Sequence, residues 1–475
     1  MTTQALSRRD FGWLLAGAGL AAAMPARAAA PSNWQLGFTT APDELDGNLT
    51  LLSGRLPADL SGVLYRAGPG QFERAGERLG HWFDGDGMIQ RFAIADGRVR
   101  HRARFVDTPK RRAETAAGRF LYSGYGFAPR EAVGFTRPDD LNAANTNVLP
   151  VGDEVWALWE GGSPWRVDGA DLASIGRRQF PSALDGVAFS AHPKRGPDGE
   201  IWNFGGFGSR CVIWRLDRAG NVLGAWPLEL QHPTLMHDFL VTRTRIVLVA
   251  PPMQSAAGDA RSLLDRFVWS PDQPMTVYVL DKNDPTSRRA YELPAHFLFH
   301  LGNAWEDESG TIRFDAFLFD DASFATEVTR AWPQGRYVEP PLARPSLITL
   351  HADGRAELER LQGAGEFPRI DPRLVGERHR YTYGVTPGGV ARWDWRTGRR
   401  AIVDYGADYW AEEPIFVPRR GEGRDGWIVQ TRLNLRSAQT ELVVLDARGV
   451  EDGPVAVLAC PYALPLGFHG AFVEL

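Results

Sequence analysis

Short apolar segments separated by polar turns run through most of this chain. Strand-like runs rich in β-branched and aromatic residues occur at 63–66, 155–159, 245–249 and 427–429. No long stretch carries the 3.6-residue apolar spacing that marks an amphipathic helix. The pattern therefore predicts an all-β protein.

An apolar strand that runs into a tight turn containing Asp recurs seven times. The segments are Phe92–Gly97, Trp165–Gly169, Trp214–Gly220, Val277–Asp281, Leu347–Gly354, Trp393–Gly398 and Val443–Gly449. Asp and Gly suit hairpin turns because both tolerate positive φ and Asp also bonds to nearby backbone. A spacing of roughly 40 to 70 residues is typical of four-stranded blades with variable loops, so we predict a seven-bladed β-propeller. A pair of β-sandwiches would also give hairpins, and repetition alone leaves that alternative open.

The first residues have the pattern of a leader peptide. Arg8 and Arg9 stand before an apolar stretch at 12–24, and Ala26-Arg27-Ala28 has the small-x-small pattern of a cleavage site. These features resemble a bacterial twin-arginine export signal and predict a periplasmic or exported protein. The stretch is short and rich in small residues for a membrane span, although an uncleaved anchor or a disordered tail are the alternatives. We assign 1–30 to the signal and 31–475 to a single propeller domain.

Composition narrows the classes of partner and chemistry. With 44% hydrophobic residues, 23% charged residues and a net charge of -5, the chain lacks the basic excess that binding to a phosphate backbone requires. We therefore expect no nucleic-acid partner. The two cysteines, Cys211 and Cys460, lie in apolar runs, which excludes a disulfide scaffold and predicts two buried free thiols.

Four of the ten histidines stand among apolar or small residues: His192, His237, His300 and His469. One such histidine is more often a core residue than a ligand. Their separations of 45, 63 and 169 residues place them in different hairpin units. Because a propeller brings the inner strands of distant blades to one axis, the four could form one site. The pattern does not separate His232 and His296 from them.

The types of residue available bear on which metal could bind. Four neutral imidazoles without a bound carboxylate would leave a ferrous ion its full charge and two open octahedral positions. Structural zinc prefers a closed tetrahedron, and the common non-heme iron triad has two histidines and one carboxylate. Because buried charge is costly, carboxylates should bind the other nitrogen of each imidazole. Our candidates are Glu160, Glu366 and Glu413, and the alternative for each is an ordinary ion pair with an arginine.

Several motifs together resemble the carotenoid cleavage oxygenase family. Gly62–Gly70, His81–Met88 and Asn145–Val148 resemble its N-terminal signatures, and the stretches around the four histidines resemble its iron-ligand motifs. The resemblance covers essentially the whole chain after the leader. It implies an all-β, seven-bladed propeller with loops and short helices capping the iron-bearing face, Fe(II) on the four histidines, and the three glutamates as their outer partners. Ala67 departs from the Asn that relatives often carry, which should affect local turn support rather than iron.

The resemblance also implies the reaction. Members insert O2 across an electron-rich carbon–carbon double bond of a lipophilic conjugated molecule and form two carbonyl products. A carotenoid or apocarotenoid is the expected substrate, held in an apolar tunnel, with peripheral membrane contact at its entrance. We assign no catalytic residue beyond the iron centre. Phe239, Phe299 and Phe468 either line the tunnel or pack in the core.

Other functions stay open at this point. Some relatives cleave phenolic stilbenes, which would need polar groups such as Tyr122, Tyr125 and Lys110 near the reacting end. A non-catalytic, pigment-binding propeller would need no iron, and a propeller hydrolase or quinoprotein would be favoured by zinc or calcium. Asp84 and Asp86 resemble the start of a calcium loop, but the other ligand positions are missing, so we predict a tight turn there.

Overall fold

Antiparallel strands dominate the computed structural model, which describes residues 31–196, 198–206, 208–256, 258–419, 423 and 425–474. The export signal expected at 1–30 lies outside these residues. The strands form seven blades, numbered I to VII, and each blade is written from its inner strand outward. Inner strands of neighbouring blades contact one another around the axis.

The first three blades contain the N-terminal part of the chain and one strand from its C-terminal end. Blade I comprises Gly470–Glu474, Gly62–Pro69, Gly87–Ala95, Arg98–Phe105 and Glu44–Asn48. Blade II comprises Asn147–Val151, Glu154–Leu158, Trp165–Asp168 and Ser174–Arg177. Blade III comprises Lys194–Arg195, Ile201–Gly205, Gly208–Leu216 and Val222–Thr234.

The remaining four blades follow in chain order. Blade IV comprises Phe239–Val241, Arg245–Ala250, Met275–Asp281 and Arg288–Leu293. Blade V comprises Phe297–Glu306, Ile312–Phe319, Arg344–Leu350 and Ala356–Arg360. Blade VI comprises Glu366–Arg369, Tyr381–Thr386, Gly389–Asp394 and Arg399–Asp404. Blade VII comprises Ile415–Pro418, Gly426–Asn434, Gln439–Asp446, Pro454–Ala459 and Thr50–Gly54, with Tyr409–Ala411 also paired to Gly426–Asn434.

Strands from both ends of the chain close the ring. Gly470–Glu474 pairs with Gly62–Pro69 as the inner strand of blade I, with Arg66 opposite Gly470. Glu44–Asn48 forms the outer edge of blade I, and Thr50–Gly54 forms the outer edge of blade VII. Backbone hydrogen bonds between strands from the two ends of the chain therefore close the ring of blades.

The predicted turns mark the blades one by one. Each of the seven segments joins the third and fourth strands of a different blade. In blade I, Asp96 and Gly97 have φ values of 51° and 70°, the pair of positive values that a two-residue hairpin turn requires. The seven-bladed propeller is confirmed, and the alternative of paired β-sandwiches is wrong.

Apolar side chains fill the spaces between blades. Val247 and Val277 of blade IV, for example, pack with Phe314 and Ile348 of blade V, and all four are fully buried. Cys211 and Cys460 are buried and free, as predicted. Burial raises the pKa of the Cys211 thiol to about 12, so it stays protonated.

Short helices and loops cap one face. The helices on this face are Trp34–Phe38, Trp82–Asp84, Pro109–Ala117, Pro138–Leu141, Ser182–Leu184, Leu264–Arg266, Phe324–Val328, Thr329–Ala331 and Trp332–Gln334. Pro372–Leu374 and Val450–Asp452 lie at the opposite end of the blades, between the first and second strands of blade VI and between the third and fourth strands of blade VII. Two ribbons add Glu73–Arg74 with Glu77–Arg78, and Met253–Ser255 with Phe267–Trp269. Trp82 and Trp332 pack with ring centroids 5.8 Å apart, and Phe324 lies 5.9 Å from Phe299 on the inner strand of blade V. The predicted cap is present.

We expect Arg66→Met to lower the melting temperature strongly. Arg66 is fully buried and donates to the carbonyl oxygens of Glu413 (3.1 Å) and Phe468 (3.2 Å), and it also pairs with Glu412. Removing it leaves a buried carboxylate without its cation, which costs about 3–5 kcal/mol. Arg100→Met, which removes an exposed pair with Asp46, should leave the melting temperature unchanged. Equal shifts for the two variants in a thermal melt would contradict this role.

Candidate metal centre

Four histidines converge on the propeller axis, and each comes from a different blade. Each lies in or just before an inner strand: His469 in blade I, His192 in blade III, His237 in blade IV and His300 in blade V. Inner strands begin near one another because the blades radiate from the axis. Ligands as far apart in sequence as His192 and His469 are thereby brought into contact, with ring centroids 4.6 Å apart.

The imidazole nitrogens that face one another are closely spaced. Nε2 to Nε2 distances are 2.9 Å between His192 and His237, 3.2 Å between His237 and His300, and 3.0 Å between His300 and His469. With metal–nitrogen bonds of ~2.1 Å, nitrogens at right angles lie ~3.0 Å apart, and nitrogens at tetrahedral corners lie ~3.4 Å apart. Two of the three observed distances, 2.9 and 3.0 Å, match right angles, and the third, 3.2 Å, lies between the two geometries. Nitrogens at right angles leave room for further ligands.

Glutamates contact the opposite nitrogen of three of these rings. His237 Nδ1 pairs with Glu160, His300 Nδ1 lies 2.5 Å from Glu366 Oε2, and His469 Nδ1 lies 2.8 Å from Glu413 Oε1. A carboxylate at Nδ1 places the ring proton there and leaves the Nε2 lone pair pointing inward. The structure thus brings together all the histidines and glutamates that were singled out from the sequence.

The glutamates come from the blades that carry no histidine. Glu366 lies on the inner strand of blade VI, and Glu413 lies just before that of blade VII. Glu160 instead follows the second strand of blade II. Its loop is anchored by buried Asp139, which accepts hydrogen bonds from the Ser163 backbone N (2.7 Å) and from Ser163 Oγ (2.9 Å).

The electrostatic environment favours neutral imidazoles beside ionised carboxylates. Burial lowers the pKa of His192 well below its usual value, and burial lowers the pKa of His469 to about 3 against the pull of Glu413. For His237 burial acts in the same direction, but the Glu160 carboxylate outweighs it and raises the pKa. Arg369 and His469 together outweigh burial at Glu413 and hold the pKa of that carboxyl well below its usual range. Neutral His192 and His469 are in the form that binds a metal.

The charges around the nitrogens fit a divalent cation. The carboxylates near the four rings are those of Glu160, Glu366, Glu413 and Asp238. Arg369 pairs with Glu413 at 2.7 Å, and Lys194 pairs with Asp238 at 2.7 Å. Four carboxyl groups stand beside two cationic side chains here, and such an excess of acidic groups suits a bound divalent ion. The donor set therefore fits a metal site.

Aromatic rings border the histidines on the capped face. Phe299 lies 5.2 Å from His237 edge to face, and Phe468 lies 5.4 Å from Phe83 of the cap. Phe239, by contrast, is fully buried against Phe204 and belongs to the core. Two of the three phenylalanines considered from the sequence therefore border the centre.

Three further residues near the site were not recognised from the sequence. Phe367 stacks on His300 at 4.8 Å with a φ of 53°, a strained value for a bulky residue. Thr146 directly precedes the inner strand of blade II. The other blades carry a His or a Glu at or near the start of their inner strands. Asp238 bridges blades III to V. Each lies next to a residue, or within a motif, that the sequence indicated. This adjacency is the sequence signal that could have identified them.

The structure also separates the histidines that the pattern could not. His232 is exposed, and His296 is buried with its Nε2 2.9 Å from Arg360 Nη2. Neither belongs to the group of metal-competent side chains found within the described residues, which comprises His192, His237, His300 and His469. The side chains that could hold a metal here are therefore the four histidines chosen from the sequence.

A seven-bladed propeller with four histidines on its axis defines a class of metalloprotein. The family described as RPE65, retinal pigment epithelial membrane protein, matches residues 38–474. The chain belongs to this family, the RPE65/carotenoid cleavage oxygenase family.

Individual relatives match over nearly their full length. Apocarotenoid-15,15'-oxygenase of Synechocystis sp. is 29% identical and covers 94% of this chain and 97% of its own. Lignostilbene-alpha,beta-dioxygenase isozyme III of Sphingomonas paucimobilis is 27% identical, over 91% and 95% respectively. The crystal structure of cobalt-substituted Synechocystis ACO superposes with a TM-score of 0.85 at 28% identity, over 94% of this chain and 100% of that one.

We expect Glu413→Gln to weaken metal retention. The amide keeps the shape of the side chain but removes the charge that supports His469, and loss of such an outer partner typically costs ten- to about a hundredfold in affinity. The measurement is the metal content left after dialysis against graded chelator. Glu441→Gln, which alters a buried pair with Arg432 in blade VII, is the matched control. Equal retention by the two variants would argue against the role of Glu413.

Proposed function

We propose that this protein is an Fe(II)-dependent dioxygenase that inserts O2 across a conjugated carbon–carbon double bond of a carotenoid or apocarotenoid. Both oxygen atoms enter the products, which are two carbonyl compounds. The observation that carries this proposal is the convergence of four imidazole nitrogens, three of them backed by glutamates. The names of the relatives, apocarotenoid and carotenoid cleavage oxygenases among them, support the reaction class.

Iron suits these ligands better than zinc. Two of the three spacings between neighbouring nitrogens, 2.9 and 3.0 Å, match right angles, whereas a structural zinc site is a closed tetrahedron. A bound ferrous ion would supply the one-electron chemistry through which O2 reacts with the alkene. The chain itself holds three of the imidazoles in one orientation through Glu160, Glu366 and Glu413.

The aromatic side chains next to the histidines suit an apolar substrate. Phe367 stacks on His300, Phe83 and Phe324 pack on Phe299, and all three rings stay partly accessible, as the wall of a substrate site would require. Phe83 packs on Phe299 and Tyr125 at 5.7 and 5.5 Å. Such a wall excludes water and offers ring faces and edges to a polyene.

A stilbene is the second candidate substrate, and one observation favours it. Tyr125 lies beside the centre, where burial, followed by the charge of Glu160, raises the pKa of its phenol. A neutral phenol can hydrogen-bond to a phenolic substrate. Lys110 cannot serve in this way because it is buried and paired with Asp86 (2.7 Å) and Glu114 (3.1 Å). Tyr122 is half-buried, with its backbone N 3.4 Å from Glu114.

A separate surface cavity of about 730 Å³ lies between blades V and VI. Charged residues line it, among them Asp320, Arg344, Arg400 and Asp404. A conjugated hydrocarbon gains nothing from such surroundings because the charged groups would lose water without finding a partner. We therefore place the substrate in the aromatic space beside the histidines.

Protein purified anaerobically after growth with iron should contain about one iron per chain. His237→Ala and His469→Ala should each lose it, because removing one of four nitrogens breaks the site. His296→Ala, at a buried histidine outside the group, should keep its iron. Zinc, or no metal in the wild type by elemental analysis, would sink the dioxygenase proposal.

The iron-loaded enzyme should cleave an apocarotenal into two carbonyl products faster than it cleaves a hydroxystilbene. Chromatography with mass detection measures both reactions. Tyr125→Phe should leave apocarotenal turnover within about twofold, because a polyene makes no hydrogen bond to the phenol, and should reduce any stilbene turnover. Faster cleavage of the stilbene, with loss in Tyr125→Phe, would establish the second candidate instead.

We further infer export by the twin-arginine route and peripheral membrane contact. No helix within the described ranges is long and apolar enough to cross a membrane. Exposed Val133 and Phe135 lie in the loop at 130–138 and offer apolar contact.

Cell fractionation should place the protein in the periplasm, partly with membranes. Replacing both Arg8 and Arg9 by Lys should retain it in the cytoplasm, and Phe135→Ser should release it from membranes. Unchanged fractions for these variants would refute both inferences.

A further inference from the structure

Asp238 lies at the junction of the three blades that carry His192, His237 and His300. It follows His237 directly in the sequence and is only 3% exposed. The three glutamates each serve one histidine, whereas Asp238 reaches toward all three of these strands. Its position differs from that of an ordinary buried ion pair for this reason.

The contacts of the carboxylate cross blade boundaries. Its Oδ2 accepts a hydrogen bond from the backbone N of Leu301, the residue after His300, at 3.0 Å. Its Oδ1 accepts from the backbone N of Phe239 at 2.7 Å and pairs with Lys194 Nζ, also at 2.7 Å. Lys194 stands two residues after His192. A single side chain therefore links groups next to three ligands.

His192 is the histidine that this arrangement serves. Within the described residues, no glutamate contacts its Nδ1, and the nearest carboxylate oxygen is Asp238 Oδ1 at 3.9 Å. That distance is too long for a direct hydrogen bond but short enough for the charge to act on the ring in a buried setting. Lys194 offsets the charge of Asp238 and keeps the pair acceptable in the interior.

We propose that Asp238, held by Lys194, is a positioning residue of the metal centre that sets the spacing of His192, His237 and His300. It acts as the fourth outer carboxylate, through the strands rather than through a direct bond to a ring. This inference rests on the metal site of the proposed function. It predicts that metal affinity depends on Asp238 beyond any effect on folding.

Two substitutions test the pair. Asp238→Asn keeps an acceptor for the Leu301 amide but removes the charge, so Lys194 faces the metal-bearing histidines uncompensated. We expect the affinity for the metal to fall ten- to about a hundredfold. Lys194→Gln removes a positive charge, which alone would favour a bound cation, but it also breaks the link between Asp238 and the strand after His192, so we expect this lost link to weaken binding. In the double variant the losses should be less than additive, because each change disrupts the same contact.

The measurement is an anaerobic titration of the metal-free full chain with Co²⁺, followed by visible absorption. Asp315→Asn is the matched control, because Asp315 is a fully buried carboxylate that accepts from the backbone N of Asn303 and from Thr382 Oγ1, both at 2.8 Å. Thermal melts of all variants report folding separately. A larger loss of cobalt affinity in Asp238→Asn than in the control supports the proposal.

Two outcomes would contradict the proposal, one for the role of Asp238 and one for the metal site itself. A loss in Asp238→Asn no greater than in Asp315→Asn overturns the positioning role while leaving the metal site intact. Wild-type protein that binds no cobalt removes the metal site itself, and with it this inference. If Asp238→Asn does not fold, Lys194→Gln decides by the same comparison, since its side chain is partly exposed and its loss is better tolerated.

Discussion

Lone-pair repulsion at the axis is the constraint on which the rest of this structure depends. The Nε2 atoms of His192, His237, His300 and His469 approach their neighbours to 2.9–3.2 Å in a buried setting. In the neutral rings, carboxylates at Nδ1 of three of the histidines place the ring proton on Nδ1, so the lone pairs of the facing nitrogens oppose one another. A buried acceptor without a partner costs about 1–3 kcal/mol. A cation shared by the four nitrogens would replace this cost with a favourable interaction. The surrounding carboxylates favour the binding of such a cation.

The propeller provides what such a site requires. Inner strands from separate blades begin near one axis, so each imidazole is carried by its own rigid sheet. The strand Gly470–Glu474 closes the ring and also positions His469, which immediately precedes it. Arg66 holds the same region through the carbonyls of Glu413 and Phe468. Packing between blades, rather than any local motif, therefore determines the distances between ligands.

Much of this could be predicted from sequence, and the reason lies in local chemistry. Asp96 and Gly97 adopt the positive φ values that identify a hairpin turn in any context, and their counterparts recur once per blade. The four histidines stand out because imidazoles are uncommon among apolar residues, and the resemblance to the family supports the glutamates that the cost of buried charge had already suggested. Features that depend on a few neighbouring residues can thus be predicted from the sequence.

The remainder depends on contacts between distant residues, which no local pattern records. His296 is as buried as the ligands, and only the course of its strand shows that it faces Arg360. Asp238 reads as an ordinary residue beside a histidine until the strand of Leu301 is placed next to it. The assignment of the last strand to blade I, which brings His469 to His300, likewise follows from ring closure.

Diffraction from a crystal of the iron-loaded protein, recorded on both sides of the iron absorption edge, tests the central claim most directly. The account predicts a single strong anomalous peak on the axis, ~2.1 Å from the Nε2 atoms of His192, His237, His300 and His469. A peak elsewhere, or one at the zinc edge with tetrahedral ligands, would contradict it.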